Sequence, residues 1–285
     1  MAPKTALVSG TNSGIGLALS VQLCQAGYTT YASVRSLSKA DDLKAAAEAA
    51  GVADRLHCIE MDVTDDASVT AAVKGVLSAT GGAVDVLVAN AGYGDFTPPE
   101  AAAVSNFADN LNVNLYGVVR LVNAVLPGMR AAGGGRIVVT SSTVGLVALP
   151  MLPVYCTTKF AVEGYIESMA ATYAPVGIHF SLVEPGPVGT PFGANAHAAA
   201  AAAPAELAGV AATFNKNSGD FMSAPQDAAA CAKYHMRAIT DAKPQLRYMT
   251  YEGLRWMVGA KYVDLTGTKT MDALATLTTP REESS

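Results

Sequence analysis

Tyr155 and Lys159 stand four residues apart, a spacing that puts both side chains on one face of a helix. An ammonium beside a phenol stabilises the tyrosinate and draws the phenol below its ordinary pKa of about 10. Such a pair is suited to proton exchange with a ketone or alcohol oxygen near neutral pH. Ser142 lies upstream at the end of a strand-like run, where its hydroxyl can polarise the same oxygen. Taken alone the spacing is common, and any amphipathic helix produces it.

A second constellation opens the chain. Ser9-Gly10-Thr11-Asn12-Ser13-Gly14-Ile15-Gly16 follows an apolar run and precedes the helical run 17–25. Glycines at a strand-to-helix turn let the backbone approach a pyrophosphate, whose charge the helix N-terminus stabilises. The spacing is GxxxGxG, not the GxGxxG of the commoner dinucleotide fingerprint. The end of the second strand should select the cofactor. An acid there bonds a ribose hydroxyl of NAD, and an arginine accommodates the 2′-phosphate of NADP. Here Tyr31-Ala32-Ser33-Val34-Arg35-Ser36 offers Arg35 and no carboxylate before Asp41, so the expected cofactor is NADP(H). Ser13 can add a hydrogen bond to the same phosphate.

These residues need a scaffold, and the apolar pattern supplies one. Strand-like runs lie at 5–9, 28–34, 55–61, 84–89, 136–141 and 178–183, and several are continuously apolar rather than alternating, as strands covered on both faces of a parallel sheet are. Helical periods alternate with them, at 66–79 (Val69, Val73, Val76, Leu77) and 155–173 (Val162, Ile166, Met169, Tyr173). The expected fold is α/β: one doubly wound, Rossmann-type parallel sheet with helices on both faces, spanning 1–285 as a single domain. Residues 189–225 loosen this pattern. Their alanine run Ala198–Ala203, Pro204 and the polar piece 215–219 read as a substrate lid too long for an ordinary loop. Residues 226–285 then read as a carboxy-terminal elaboration, with a helix near 226–239 and a strand near 245–250.

Composition removes several alternatives. Of 285 residues, 19 are Lys or Arg and 24 Asp or Glu, giving −5 without any basic block, so a nucleic-acid partner is not expected. The uncharged window from Ile137 to Thr158 is long enough to cross a bilayer. It holds Thr140, Ser141, Ser142, Thr143, Pro150 and Pro153, so no transmembrane segment is expected. The start has no secretory signal, and Cys24, Cys58, Cys156 and Cys231 form no CxxC pair; both fit a cytoplasmic protein. Cys156 reads as a small buried hydrophobe. His57, His179, His197 and His235 are scattered without metal-ligand spacing, so no metal is expected; His179 belongs to a strand, and His197, in the lid, is the one placed to meet substrate.

Together, Gly10-x-x-x-Gly14-Ile15-Gly16, Asn90-Ala91-Gly92, Asn114, Ser142, Tyr155-x-x-x-Lys159 and Pro185-Gly186-Pro187-Val188-Gly189-Thr190 resemble the short-chain dehydrogenase/reductase family, in the family's order. The resemblance implies that Tyr155 is the acid/base, that Lys159 lowers its pKa and holds the ribose, and that Ser142 orients the substrate oxygen. Asn114 would hold a relay water; neighbouring Asn112 is read as a surface helix residue. It further places Asp62 and Val63 at the adenine, Asn90, Ala91 and Gly92 along the cofactor, and Pro185, Gly186, Val188 and Thr190 near the nicotinamide. Ser9 stands where threonine is more usual. A narrower likeness, in Val154–Gly164, Val183–Val188 and Pro244–Tyr248, is to the branch holding 17β-hydroxysteroid and retinol dehydrogenases. It implies a bulky apolar alcohol or carbonyl substrate, with Tyr93, Leu149, Met151 and Leu152 as pocket wall. The family's habit also implies a homodimer or homotetramer. The alternative is a non-catalytic NADP(H)-binding sensor or scaffold; such modules typically lack a catalytic residue, and here all four are present.

Overall fold

A computed structural model describes residues 4–192, 204–222 and 224–278. Seven strands form one sheet: β1 (Thr5–Ser9), β2 (Thr29–Val34), β3 (Leu56–Glu60), β4 (Val86–Ala89), β5 (Gly135–Thr140), β6 (Ile178–Glu184) and β7 (Arg247–Met249). Every neighbour pair is parallel, in the order β3-β2-β1-β4-β5-β6-β7. The order reverses between β1 and β4, which opens a crevice beyond their carboxyl ends.

Alternation along each strand divides the core. Leu7, Leu87, Ile137, Val139 and Leu182 point to one face, against α3 (Asp66–Ala79), α5 (Gly117–Ala132) and α6 (Pro153–Tyr173). Ala6, Val8, Val86, Val88 and Val138 point to the other, against α1 (Gly14–Gln25) and α8 (Ala228–Thr240). Residues i and i+2 of a strand share a face, so strands apolar at every position are what two helical layers require.

Local chemistry sets the helix boundaries. The Asp65 carboxylate accepts from Ala67 N at 2.8 Å to start α3, and Asp227 accepts from Ala230 N at 2.9 Å to start α8. Pro153 occupies the first turn of α6, where its missing N–H is harmless, so this helix begins two residues before the sequence pattern places it. Gly133, at φ 81°, ends α5 in the left-handed conformation. The remaining helices are α2 (Asp41–Ala49), α4 (Val104–Leu111), α7 (Ala208–Met222), α9 (Arg255–Val263) and α10 (Thr268–Thr278).

The polar piece 215–219 is not a loop, as its composition suggests, but part of α7. Phe214 is buried, Asn217 Nδ2 donates to Thr276 O at 3.0 Å, and the Ser218 hydroxyl donates back to Phe214 O. Packing against α10 overrides weak helix propensity. The alanine run Ala198–Ala203 and His197 lie outside the described residues. A third apolar cluster joins Val147, Leu149 and Tyr155 to Phe214 of α7, Met257 of α9 and Ala273 of α10, so these helices cap the Tyr155 end of the crevice.

Leu182 is fully buried on β6, between β5 and β7. Leu182→Ala should lower unfolding free energy by about 2–5 kcal/mol, read as a lower urea midpoint with an unchanged m-value.

Candidate active site

The crevice is pinned where β1 and β4 part. Ser9 Oγ accepts from Asn90 N at 3.0 Å and Ala91 N at 3.1 Å, while Asn90 Nδ2 donates to Ser9 O and Gly10 O at 3.1 and 3.0 Å. A serine in place of threonine keeps these bonds. Gly10 has φ +69°, and a Cβ on it would stand 2.7 Å from Ala91 Cα. A Cβ on Gly16 would run into Gly10 O and Asn90 Nδ2. Both positions therefore require glycine. Ser13 precedes α1 without bonding the helix's first turn, leaving the N–H groups there for an anion.

A cleft of about 1110 Å³ runs from this turn to Tyr155. Gly10, Asn12, Ser13, Gly14 and Ile15 line its floor, with Arg35, Asp62 and Val63 at one end. Asn90, Ala91 and Gly92 follow, then Pro185, Gly186, Val188 and Thr190 on the far side. Gly16 lies beneath the lining, holding the turn shut. The Asp62 carboxyl is held below its ordinary pKa, first by the Thr64 backbone N–H, also by the Thr64 hydroxyl and nearby Arg35 and Arg120.

At the chemical end, Ser142, Tyr155 and Lys159 face the cleft together, walled by Tyr93, Leu149, Met151 and Leu152. Met151 is held at φ 63°, a strained backbone for a side-chain-bearing residue. Ser142 Oγ donates to Pro185 O at 3.3 Å and accepts from Val144 N at 3.3 Å. Lys159 Nζ donates to Thr140 O at 2.9 Å and lies 5.7 Å from the Tyr155 ring centroid. Burial lowers the Lys159 pKa to about 8, against the opposing pull of Glu163.

The four-residue spacing predicts a lowered Tyr155 phenol; the structure places it above its ordinary value. Phe96 packs edge-on and Phe192 at a tilt, each ring 5.7 Å from that of Tyr155, leaving it 7% exposed. This desolvation outweighs the Ser142 hydroxyl, which pulls the other way. Cys156 is buried, its thiol pushed up to about 11 chiefly by desolvation, so it is no nucleophile. Buried His235 bonds Thr140 Oγ1 at 2.9 Å and is lowered to about 4 by desolvation.

Asn114 does not line the cleft. It sits in a π turn, Asn112–Tyr116, between α4 and α5, a distortion often found at functional sites. Its Oδ1 accepts from Tyr93 N at 3.0 Å and its Nδ2 donates to Tyr93 O at 2.9 Å. The side chain holds the Tyr93 loop. Asn112 is half-buried, not a solvated surface residue: its Oδ1 accepts from Arg120 Nη1 at 3.0 Å.

The family model described as short chain dehydrogenase matches residues 4–201. The chain belongs to this family. Human 17-beta-hydroxysteroid dehydrogenase type 1 is 37% identical over 287 residues, covering 96% of this chain and 85% of the relative. Human retinol dehydrogenase 8 is 45% identical over 195 residues, 67% of this chain and 61% of that longer protein. The crystal structure of a short-chain dehydrogenase from Streptomyces avermitilis superposes with TM-score 0.80 at 30% identity, over 95% of this chain and 96% of that one. Among the described residues no helix is long and apolar enough to cross a membrane, and no group of His, Cys, Asp or Glu is placed to hold a metal.

Several residues of this short-chain dehydrogenase's site carry no mark in its sequence. Lys39 reaches the cleft beside Arg35 because a single 3₁₀ turn, Leu37–Lys39, follows β2. Phe96, Phe192, Phe214 and Leu254 enter from four separate segments. Asn110, fully buried, donates to Tyr93 O at 3.1 Å and accepts from Asn114 Nδ2 at 3.1 Å and Thr158 Oγ1 at 2.8 Å. It ties α4, the π turn and α6 to the cleft wall. Its only signal is its place four residues before Asn114. Asn110→Ala strands several buried partners and should cost about 1–3 kcal/mol, measured by chemical denaturation.

Proposed function

We propose that this protein is an NADP(H)-dependent oxidoreductase that interconverts a bulky apolar carbonyl compound and its alcohol. The observation that carries the reading is one cleft joining the glycine turn to Ser142, Tyr155 and Lys159. The glycines that only a bare Cα can satisfy, and the free first turn of α1, fit a dinucleotide's pyrophosphate. Arg35 and Lys39 both line the outer end of the cleft, and β2 itself ends in no carboxylate. Two cations there favour a 2′-phosphate.

When bound, the reduced nicotinamide supplies a hydride to the carbonyl carbon. Ser142 holds the carbonyl oxygen, and Tyr155, whose raised pKa keeps it protonated, gives that oxygen its proton. Lys159 stands behind the ring as a cation to offset the tyrosinate left behind. The reverse direction returns the proton to Tyr155. Phe96 and Phe192 keep water from the phenol and must part for substrate, which gives residues 189–225 their role as a lid. The apolar wall of Leu149, Met151, Leu152, Phe214 and Leu254 fits a large hydrophobic body. Steroid and retinol dehydrogenases among the relatives support the same class.

Tyr155→Phe should reduce turnover of a panel of lipophilic ketones and aldehydes about 10²- to 10⁴-fold while NADPH still binds, followed by loss of NADPH absorbance and by fluorescence titration. Turnover near the wild-type rate would sink the acid/base assignment; NADPH binding without turnover of any carbonyl by the wild type would favour a sensor. Arg35→Asp should weaken NADPH binding roughly ten- to hundredfold, the worth of a charge-assisted hydrogen bond. It should leave NADH binding the same or tighter, and equal losses for both cofactors would remove the phosphate argument.

A further inference from the structure

Three stretches carry the narrower family likeness, Val154–Gly164, Val183–Val188 and Pro244–Tyr248. The fold brings one charged residue from each to a single place. Glu163 lies one helical turn beyond Lys159, Glu184 ends β6, and Arg247 begins β7. Arg247 Nε donates to Glu163 Oε2 at 3.2 Å, and its Nη2 donates to Glu167 Oε2 at 2.9 Å. The same guanidinium stands 3.7 Å from Glu184 Oε1.

This cluster backs directly onto the site. Glu163 is followed back along α6 to Lys159, whose carboxylate–ammonium pair at this spacing is within electrostatic reach. Glu184 precedes Pro185, whose carbonyl accepts from Ser142. Ser141 precedes Ser142, and bare Gly145 faces Ser141 Oγ, Glu163 Cγ and Lys159 O: a Cβ there would lie 3.0–3.1 Å from each. The cluster is also short of hydrogen bonds. Four buried side-chain atoms of it close no well-formed hydrogen bond among the described residues: Ser141 Oγ and Glu163 Oε1, which interact with each other, and both oxygens of Glu184. Besides the Arg247 guanidinium at 3.7 Å, the backbone N–H groups of Tyr248 and Glu184 itself come near the Glu184 carboxyl, without closing a well-formed bond. Glu184 is fully buried, where a carboxylate with no donors is costly.

We propose that Glu163 is a positioning residue for the reaction: held by Arg247, its carboxylate keeps the Lys159 ammonium charged, while Glu184, beside the same guanidinium, stays a neutral acid. The charged groups facing Glu163 are Lys159 and Glu167 on its own helix, Glu184 on β6, Arg247 on β7, and Lys261 and Tyr262 on α9. Three carboxylates therefore share one guanidinium and the ammonium groups of Lys159 and Lys261, and of the three Glu184 is the one that is fully buried with no well-formed bond. Desolvation brings Lys159 to about 8, and Glu163 is the charge that opposes it. Burial raises Glu184 to about 9, with Glu163 adding to the rise.

The inference rests on the acid–base roles proposed for Tyr155 and Lys159, so its test has one readout that uses activity and one that does not. Carbonyl reduction needs charged Lys159 and declines as pH rises through its pKa. In Glu163→Gln, and in Arg247→Met, which lets Glu163 take up a proton, the alkaline limb of kcat/KM should move about one pH unit lower. The acidic plateau should hold to within a few-fold. Glu163→Asp should restore part of the shift. Limbs that stay in place in both variants, with Tyr155→Phe inactive, would overturn the positioning role and leave the proposed reaction standing.

The second readout is thermal stability against pH. A carboxyl neutral in the folded chain and ionised in the unfolded one binds more protons when folded. Stability is then lost as pH rises from about 4.5 through about 9. Glu184→Gln should flatten the decline of the melting temperature between pH 6 and 9, whereas an unchanged slope would mean that Glu184 is ionised and would overturn its neutral assignment.

Discussion

Everything at the active site depends on the fit between β1 and β4. Where the strand order reverses, two chain segments diverge and leave a crevice, and Ser9 and Asn90 close its base by bonding each other's backbones. The turn that follows is so tight that Gly10 and Gly16 have no room for a Cβ. This combination makes a floor of backbone N–H groups that a phosphate can approach. The same crevice continues between the ends of β5 and β6 to Ser142 and Tyr155. Loosening the clasp would separate the glycine turn from Ser142 and Tyr155 at the other end of the crevice.

The chemical end balances burial against charge. Aromatic rings exclude water from Tyr155 and hold its proton on, while burial pushes Lys159 toward losing its own. A low-dielectric site strengthens the interaction between a developing tyrosinate and the ammonium, but only if the ammonium survives desolvation. That requirement makes the acidic residue one turn along α6 consequential. Arg247 in turn draws β7, late in the chain, into contact with the catalytic helix. The third apolar cluster makes a similar link, since α7, α9 and α10 reach the wall beside Tyr155.

Much of this could be read along the chain. Six strand-like runs and the strand expected near 245–250 marked the seven strands to within two residues at most ends, because strands buried on both faces are largely apolar. The glycine turn, Ser142, Tyr155 and Lys159 were visible from spacing and order. Misreadings came where tertiary packing outweighed local preference. The polar residues 215–219 sit in a helix because Phe214 and Asn217 find partners on α10 and its surroundings. Tyr155 lies above, not below, its ordinary pKa because Phe96 and Phe192 arrive from loops far away in sequence. Asn112 is tied to Arg120 rather than solvated.

The sequence by itself determined the parallel α/β architecture and the glycine-lined turn, and it singled out Ser142, Tyr155 and Lys159, which line one cleft. Each depends on residue type or on spacing within one element, where periods of two and four residues translate directly into direction. The tertiary structure alone decided that Asn114 braces Tyr93 instead of lining the cleft, and that Lys39 joins Arg35. It also decided that Glu163, Glu184 and Arg247 share one buried site. Those outcomes depend on distances between segments that lie dozens of residues apart, and on how much water each side chain retains once the layers close.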